Sequence, residues 1–384
     1  GRVGIMYRKT YVEIDCKKLE NNIKEIKNKY NDYKYYIGVV KANCYGHGIE
    51  SIKYLIKGGI NYLATSSLEE ALKIRELYND IPILVLEPIH YEDIIIASKN
   101  NIVITIDNKD LFDKLVDNNI NIKFHIKIDS GMNRFGFKYK NDVKYVFDNS
   151  NNSVKLIGVY TQLYSGAGNS LKKELEQFKD LTSLIDLNKI DIVHIDRSLT
   201  LEQHEKVEFA NGIRLGILMY GFNKCRYPLS WKRKLYNKIF RIKDNYKESI
   251  LNLDTVLKFY TEVIETKKVS SNEIIGYGGM YDNNSDVIVG ILPYGFADYL
   301  FINKSYVYIN GKKYNIVVNY MDVTSVIIDE SVKVGDKVEI FGDNISIREA
   351  SRLANANVYK TICSITNRVP RVYVYNDERK EIEY

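Results

Sequence analysis

Lys41 follows a short apolar run that ends Val39-Val40 and leads into Ala42-Asn43-Cys44-Tyr45-Gly46-His47-Gly48. A lysine held at the hydrophobic end of a strand loses hydration, which lowers its pKa and frees the amine as a nucleophile for Schiff-base chemistry. An ordinary lysine at a surface strand end has the same sequence signature, and this segment alone does not choose. Further along, Arg134 closes Lys127-Ile128-Asp129-Ser130-Gly131-Met132-Asn133-Arg134, and Ser198 and Gly216 each come after or within an apolar run. A hydroxyl and a backbone N–H are suited to a phosphate, and Arg214, two residues before Gly216, is a side chain that can partner a pyridine nitrogen.

These residues need elements to bring them together. Apolar runs of four to seven residues alternate with helical-period segments through the first 220 residues, the pattern of repeated βα units. Tyr11 to Ile14 reads as a strand leading into a helix capped by Asp15, with Leu19, Ile23 and Ile26 on one face. Eight strand candidates then centre on Ile37, Leu63, Leu84, Val103, Ile126, Val159, Val193 and Ile217. A capping box, Ser67 with Glu70, opens the helix after the second. Eight repeats predict a (β/α)8 TIM-like barrel over residues 10–250; an open doubly wound sheet lacks its glycine fingerprint here. In such barrels the active site lies at the C-terminal ends of the strands, and phosphate is often held after strands seven and eight. Lys41, Arg134 and Ser198 then follow strands one, five and seven, with Gly216 and Ile217 on strand eight.

After about Leu253 the texture changes to short alternating runs broken by Asp282-Asn283-Asn284, Asn310-Gly311, Gly335-Asp336 and Gly342-Asp343. This predicts a C-terminal antiparallel β domain over residues 251–384. Between the two, residues 231–247 are rich in Lys and Arg, with Trp231, Leu235 and Ile239 at i, i+4, i+8; a solvated amphipathic linker is the reading preferred over a membrane or partner contact.

Composition excludes several classes. The 384 residues are 45% hydrophobic and 27% charged, enough for packed cores and too balanced for disorder. A net charge of +6 with Lys and Arg spread along the chain does not imply nucleic acid. Cys16, Cys44, Cys225 and Cys363 have neither zinc-ligand nor disulfide spacing, so no metal is expected and a reducing compartment fits. No apolar run approaches the ~18 residues that span a bilayer. The start at Gly1, with the first methionine at Met6, reads as a piece of a longer chain.

With these elements in place, residues 39–48, 127–136, 214–221, Gly276-Tyr277-Gly278, Met321-Asp322 and 368–373 resemble, in order, the successive motifs of the alanine racemase family. The resemblance runs from Tyr11 to Tyr373. It implies a pyridoxal 5'-phosphate enzyme in which Lys41 carries the cofactor and acts as base on one face of the substrate. Tyr277 would be the opposite base, supplied by the second subunit of a homodimer. Tyr45, Ser198, Gly216 and Ile217 resemble the phosphate contacts, Arg214 the partner of the pyridine nitrogen, and Arg134 and the Met321 backbone the substrate-carboxylate contacts. Lys127 matches a lysine that some members carbamylate to orient that arginine; a plain structural lysine stays open.

The departures carry content of their own. Gln162 stands where the family usually has a histidine that helps position Arg214, and Arg197 where an asparagine precedes Ser198. Phe296 and Tyr299 alter the access channel. Asn367 replaces the usual tyrosine at the mouth of the substrate pocket and resembles the membrane-bound serine/alanine racemases of vancomycin-resistance systems. That resemblance implies L/D-serine and alanine interconversion for peptidoglycan precursors. It also implies an N-terminal membrane domain outside this chain and a racemase domain in the cytoplasm, at the membrane face. An ordinary alanine racemase, a related decarboxylase, and a non-catalytic pyridoxal-phosphate carrier built on the barrel alone are the competing readings. The second domain with Tyr277 and Met321 argues against the carrier.

Overall fold

A computed structural model describes residues 6–223, 231–240, 246–300 and 305–383. The chain forms two compact units, one of residues 19–42 and 52–254, the other of residues 1–18, 43–51 and 255–384.

The first unit is built on eight parallel strands: Tyr35–Val39, Tyr62–Thr65, Ile83–Val85, Ile104–Ile106, Ile122–Ile128, Val154–Thr161, Ile192–Arg197 and Gly212–Leu215. The first pairs with both the second and the eighth, and a bridge from Leu84 to Val103 links the third to the fourth, so the sheet curls into a nearly closed barrel. Strands buried on both faces explain the continuous apolar runs. Ile37, Leu63, Leu84, Ile104, Phe124, Ile126 and Ile213 are fully buried. Helices cover the outside, and Ser67 caps Leu68–Arg75 by accepting from the Glu70 N–H at 3.3 Å. Asp15 likewise caps Cys16–Lys29, through the Lys18 N–H at 3.0 Å.

The eighth strand corrects the sequence expectation. It ends at Leu215, and Ile217, expected at its centre, opens the 3-10 turn Ile217–Tyr220 instead. Apolar residues run unbroken from Ile217 to Tyr220 and are all buried, so hydrophobicity could not mark the boundary. Gly216, at ψ −101°, turns the chain out of the sheet and leaves its N–H at the strand end.

The second unit is a ten-stranded sheet. In the hairpin of Tyr306–Ile309 with Lys312–Asn319, Asn310 and Gly311 both take positive φ, 46° and 89°, as a tight two-residue turn requires. Tyr11–Asp15 also belongs to this sheet: it pairs antiparallel with Leu257–Glu262 and parallel with Arg371–Tyr375. Sequence reading had attached it to the barrel. Its alternating burial, with Val12 and Ile14 inside, suits a sheet with one wet face better than a barrel strand.

Candidate active site

Lys41 follows the first barrel strand and opens the turn Lys41–Tyr45, in which Ala42, Asn43, Cys44 and Tyr45 all take φ between 52° and 54°. Four consecutive non-glycine residues in left-handed conformation cost about 1–2 kcal/mol each. Such a turn survives only where its surroundings fix it. Asn43 C=O accepts from the Gly48 N–H, and the Cys44 C=O from the His47 N–H. Arg371, buried, donates from Nε to the Gly46 carbonyl, and Tyr373 donates its hydroxyl to the His47 carbonyl. A Cβ on Gly46 would run into the Ile362 carbonyl, so only glycine fits there. Lys41 is itself partly buried and makes no hydrogen bond or ion pair among the described residues, which leaves its amine available.

At the other side of the barrel mouth, Ser198 Oγ accepts from the Gly216 N–H at 2.8 Å. The hydroxyl and the N–H at the end of the eighth strand thus converge. The loop bearing Ser198 is clasped: Asp196 accepts from Thr200 Oγ1 at 2.7 Å and lies 2.6 Å from His204 Nε2.

Arg214, buried within the barrel, is held by several polar partners. Its Nη1 donates to His194 Nδ1 at 2.8 Å, and its Nη2 to the Thr161 carbonyl at 2.6 Å and Gln162 Oε1 at 3.2 Å. Arginine can only donate, so His194 Nδ1 accepts and its proton sits on Nε2. That proton points to His125 Nδ1, 2.9 Å away, and His125 Nε2–H in turn to Tyr62 Oη at 3.3 Å. Both imidazoles are therefore neutral. Burial first, and the Arg214 charge second, push His125 down to about 3 and His194 well below its ordinary value. Tyr160 stacks on His194 at 4.6 Å and 8°. Arg214 is lowered by burial to about 10 and so stays protonated at neutral pH. Its Nε is the one donor without a partner among the described residues.

Lys127 is 4% exposed between the Phe135 and Tyr160 rings. Burial, then the charges of Arg134 and Arg214, lower its pKa to about 8. Arg134 is exposed on the loop after the fifth strand, where Asp129 accepts from the Gly131 and Asn133 N–H groups.

In the β unit the structure links Tyr277, Met321 and Asn367 through short segments. The Tyr277 ring lies 5.8 Å from that of Tyr320 and is 82% exposed. The Tyr320 and Met321 carbonyls accept from the Phe296 and Ala297 N–H groups, an approach so close that a Cβ on Gly295 would collide with both. Thr366 N–H donates to the Asp298 carbonyl, and Arg368 reaches Asp322 at 2.7 Å. Arg371 also holds the carbonyls of Ile365, Thr366 and Val369, so it ties the Gly46 turn to the segment that carries Asn367. Asn367 is exposed and its amide makes no hydrogen bond among the described residues. Phe296 and Tyr299 line an open cleft of about 540 Å³ with Leu300 and Ser364.

Sequence reasoning missed His125 and His194. Their signal was there: each is a fully buried polar residue in the middle of a barrel strand, and Gly158, on the neighbouring strand, leaves the space that the His125 ring fills. Gln162, read as a departure, still accepts from Arg214.

A barrel with a lone lysine after its first strand, a hydroxyl and N–H pair after its last two, and a buried arginine with one open donor defines a cofactor-lysine enzyme of the (β/α)8 type joined to a β domain. The described groups fit pyridoxal phosphate: an uncommitted amine, a phosphate cradle and a donor for the ring nitrogen. The chain belongs to the alanine racemase family, whose N-terminal domain matches residues 14–224 and whose C-terminal domain matches residues 256–373. It is 31% identical over 392 residues to an alanine racemase of Methanococcus maripaludis, covering 95% of this chain and 98% of that protein. An alanine racemase of Staphylococcus saprophyticus is 30% identical, covering 96% and 95%. The solved alanine racemase of Clostridium difficile 630 superposes with a TM-score of 0.87 at 26% identity over 99% of each chain. That of Bacillus anthracis, solved with bound L-Ala-P, gives 0.84 at 27%, covering 99% and 98%. The family's cofactor is pyridoxal 5'-phosphate and its reaction is amino-acid racemisation. Among the described residues, no helix is long and apolar enough to cross a membrane.

Proposed function

We propose that this chain racemises serine as well as alanine, with Lys41 and Tyr277 exchanging the Cα proton on opposite faces of the substrate. When bound, the cofactor withdraws electrons from the substrate and makes its Cα–H acidic. Lys41 holds it and takes or returns a proton on one face; Tyr277 does so on the other. One lysine in a fixed pocket does not easily serve both faces, which is why a second base is needed. Tyr45, Ser198, Gly216 and Ile217 hold the phosphate. Arg214 would offer its Nε–H to the ring nitrogen and, keeping its own proton, would not protonate it. Arg134 and the Met321 N–H take the substrate carboxylate.

The exposure of Tyr277 supports a homodimer in which it serves the Lys41 of the other copy. An N-terminal membrane domain, of the kind the resemblance at Asn367 implies, would place the racemase at the cytoplasmic face. There it would supply D-amino acids for peptidoglycan precursors, as in vancomycin resistance.

Asn367 carries the serine reading: its unengaged amide can pair with a substrate hydroxyl, which alanine lacks. A net bond of about 0.5–1.5 kcal/mol makes the preference a few-fold to tenfold. The names of the relatives favour a second reading, an ordinary alanine racemase. A chiral assay with L-Ser and L-Ala side by side decides. Asn367→Tyr should lower kcat/KM for L-Ser more than for L-Ala. If L-Ser is not turned over, or both values fall together, the serine reading fails.

A further inference from the structure

The chain's net charge is concentrated in one place. Residues 231–247 hold seven of its 55 basic residues and one of its 49 acidic ones, leaving 48 of each sign elsewhere. The whole net charge of +6 therefore sits in these 17 residues, and the rest of the chain is neutral.

The same segment exposes an apolar surface. It contains the helix Trp231–Ile239, followed by Phe240. Trp231 is 70% exposed, Leu235 48%, Tyr236 46%, Ile239 63% and Phe240 61%. At ~100° per residue these five side chains occupy about half the helix circumference. Scattered single apolar residues on a surface need no explanation, but five large ones gathered on one short helix do. The Tyr236 and Phe240 rings meet at 4.5 Å, and Lys232 lies 5.8 Å from the Trp231 ring. A solvated linker would have no use for this apolar half.

We propose that the helix Trp231–Ile239 is a docking element for the surface of an anionic lipid bilayer. Its charge calls for an anionic partner, and its apolar half calls for a hydrocarbon layer in which to bury. Nucleic acid satisfies the first demand and offers nothing to Leu235 and Ile239. An anionic bilayer satisfies both, with tryptophan at the interface and lysines at the headgroups. Nine residues are far too few to cross a membrane, so the helix lies on the surface. This inference is independent of the reaction proposed for the active site.

Trp231 is the only tryptophan in the chain, so its emission reports on this helix alone. The full chain is titrated with phosphatidylglycerol vesicles and, separately, with phosphatidylcholine vesicles, at low and high salt. The expected result is a blue shift of Trp231 emission and co-sedimentation with the anionic vesicles only, weakened by salt. Lys232→Glu and Lys238→Glu should each weaken partitioning roughly fivefold or more, from the loss of attraction per basic residue. Ile239→Asp with Phe240→Asp, both at exposed positions, should abolish the shift without changing the thermal melt. Three results would overturn the proposal. They are no shift with anionic vesicles, a shift that appears with protein concentration alone (a second copy covers the face), or a shift with a single-stranded oligonucleotide and not with vesicles.

Discussion

Arg214 donates to Nδ1 of His194 across 2.8 Å, and this one bond fixes the tautomers of both buried histidines. A cation-sharing relay would be repelled by the arginine; a neutral one is held by it.

The pH dependence follows from that neutrality. The folded pKa values of His125 and His194 lie below the unfolded ones, so the unfolded chain takes up protons first as pH falls. Stability conferred by the neutral pair is full above ~6.5 and is lost progressively below it. Replacing His194 by Phe keeps a ring beside Tyr160 and the backbone carbonyl that Arg214 Nη1 also reaches, but strands the other Nη1 N–H, at a cost of about 1–3 kcal/mol. Thermal melts from pH 7.5 down to 5 should show a lower starting Tm and a shallower acid slope in His194→Phe. An unchanged slope would mean that the histidines are not the titrating groups.

The left-handed turn makes an unusual prediction. Ala42 is exposed at φ 52°, where a Cβ is a penalty and glycine is at ease. Ala42→Gly should therefore raise stability by about 0.5–1 kcal/mol, the reverse of the usual effect in a helix. Ala42→Val should lower it. Denaturant melts of the two variants check both signs, and destabilisation by glycine would show that the turn is not left-handed in solution.

Lys127 offers a test of its chemistry. With its pKa lowered to about 8, roughly a tenth of its amine is neutral at pH 7, far more than for an ordinary lysine, and open to addition of CO2. The resulting carbamate would face Arg134 and Arg214, whose charges now oppose the ammonium form. Adding bicarbonate should raise the Tm of the wild-type chain and leave Lys127→Met unmoved. Without bicarbonate, Lys127→Met should melt no lower than wild type below pH 8, where the buried ammonium is unfavourable. A wild-type chain indifferent to bicarbonate would make Lys127 a plain structural lysine.

Much of this was legible in sequence because barrel strands buried on both faces announce themselves as apolar runs, and strand ends then locate Lys41, Arg134 and Ser198. Four things were not. The end of the eighth strand hid inside an apolar run that a backbone turn at Gly216, not a change of side chains, interrupts. The turn after Lys41 depends on Arg371, more than three hundred residues away, and no local pattern encodes that partner. The partnership of His125 and His194 with Arg214 emerges only once the strand order sets the three side by side. Tyr11–Asp15 was misplaced because its partner strands lie at the far end of the chain.

The central claim is that Lys41 and Tyr277 work on opposite faces of Cα, and Cα-proton exchange in deuterated water tests it most directly. In the Tyr277→Phe chain, one enantiomer of alanine should still exchange its Cα proton through Lys41 without inverting. The other should neither exchange nor racemise, and Lys41→Ala should do neither with either. The expected partition is exchange retained for D-alanine and lost for L-alanine. Exchange of both enantiomers at wild-type rates in Tyr277→Phe would contradict the account, because it would leave Tyr277 with no proton to move.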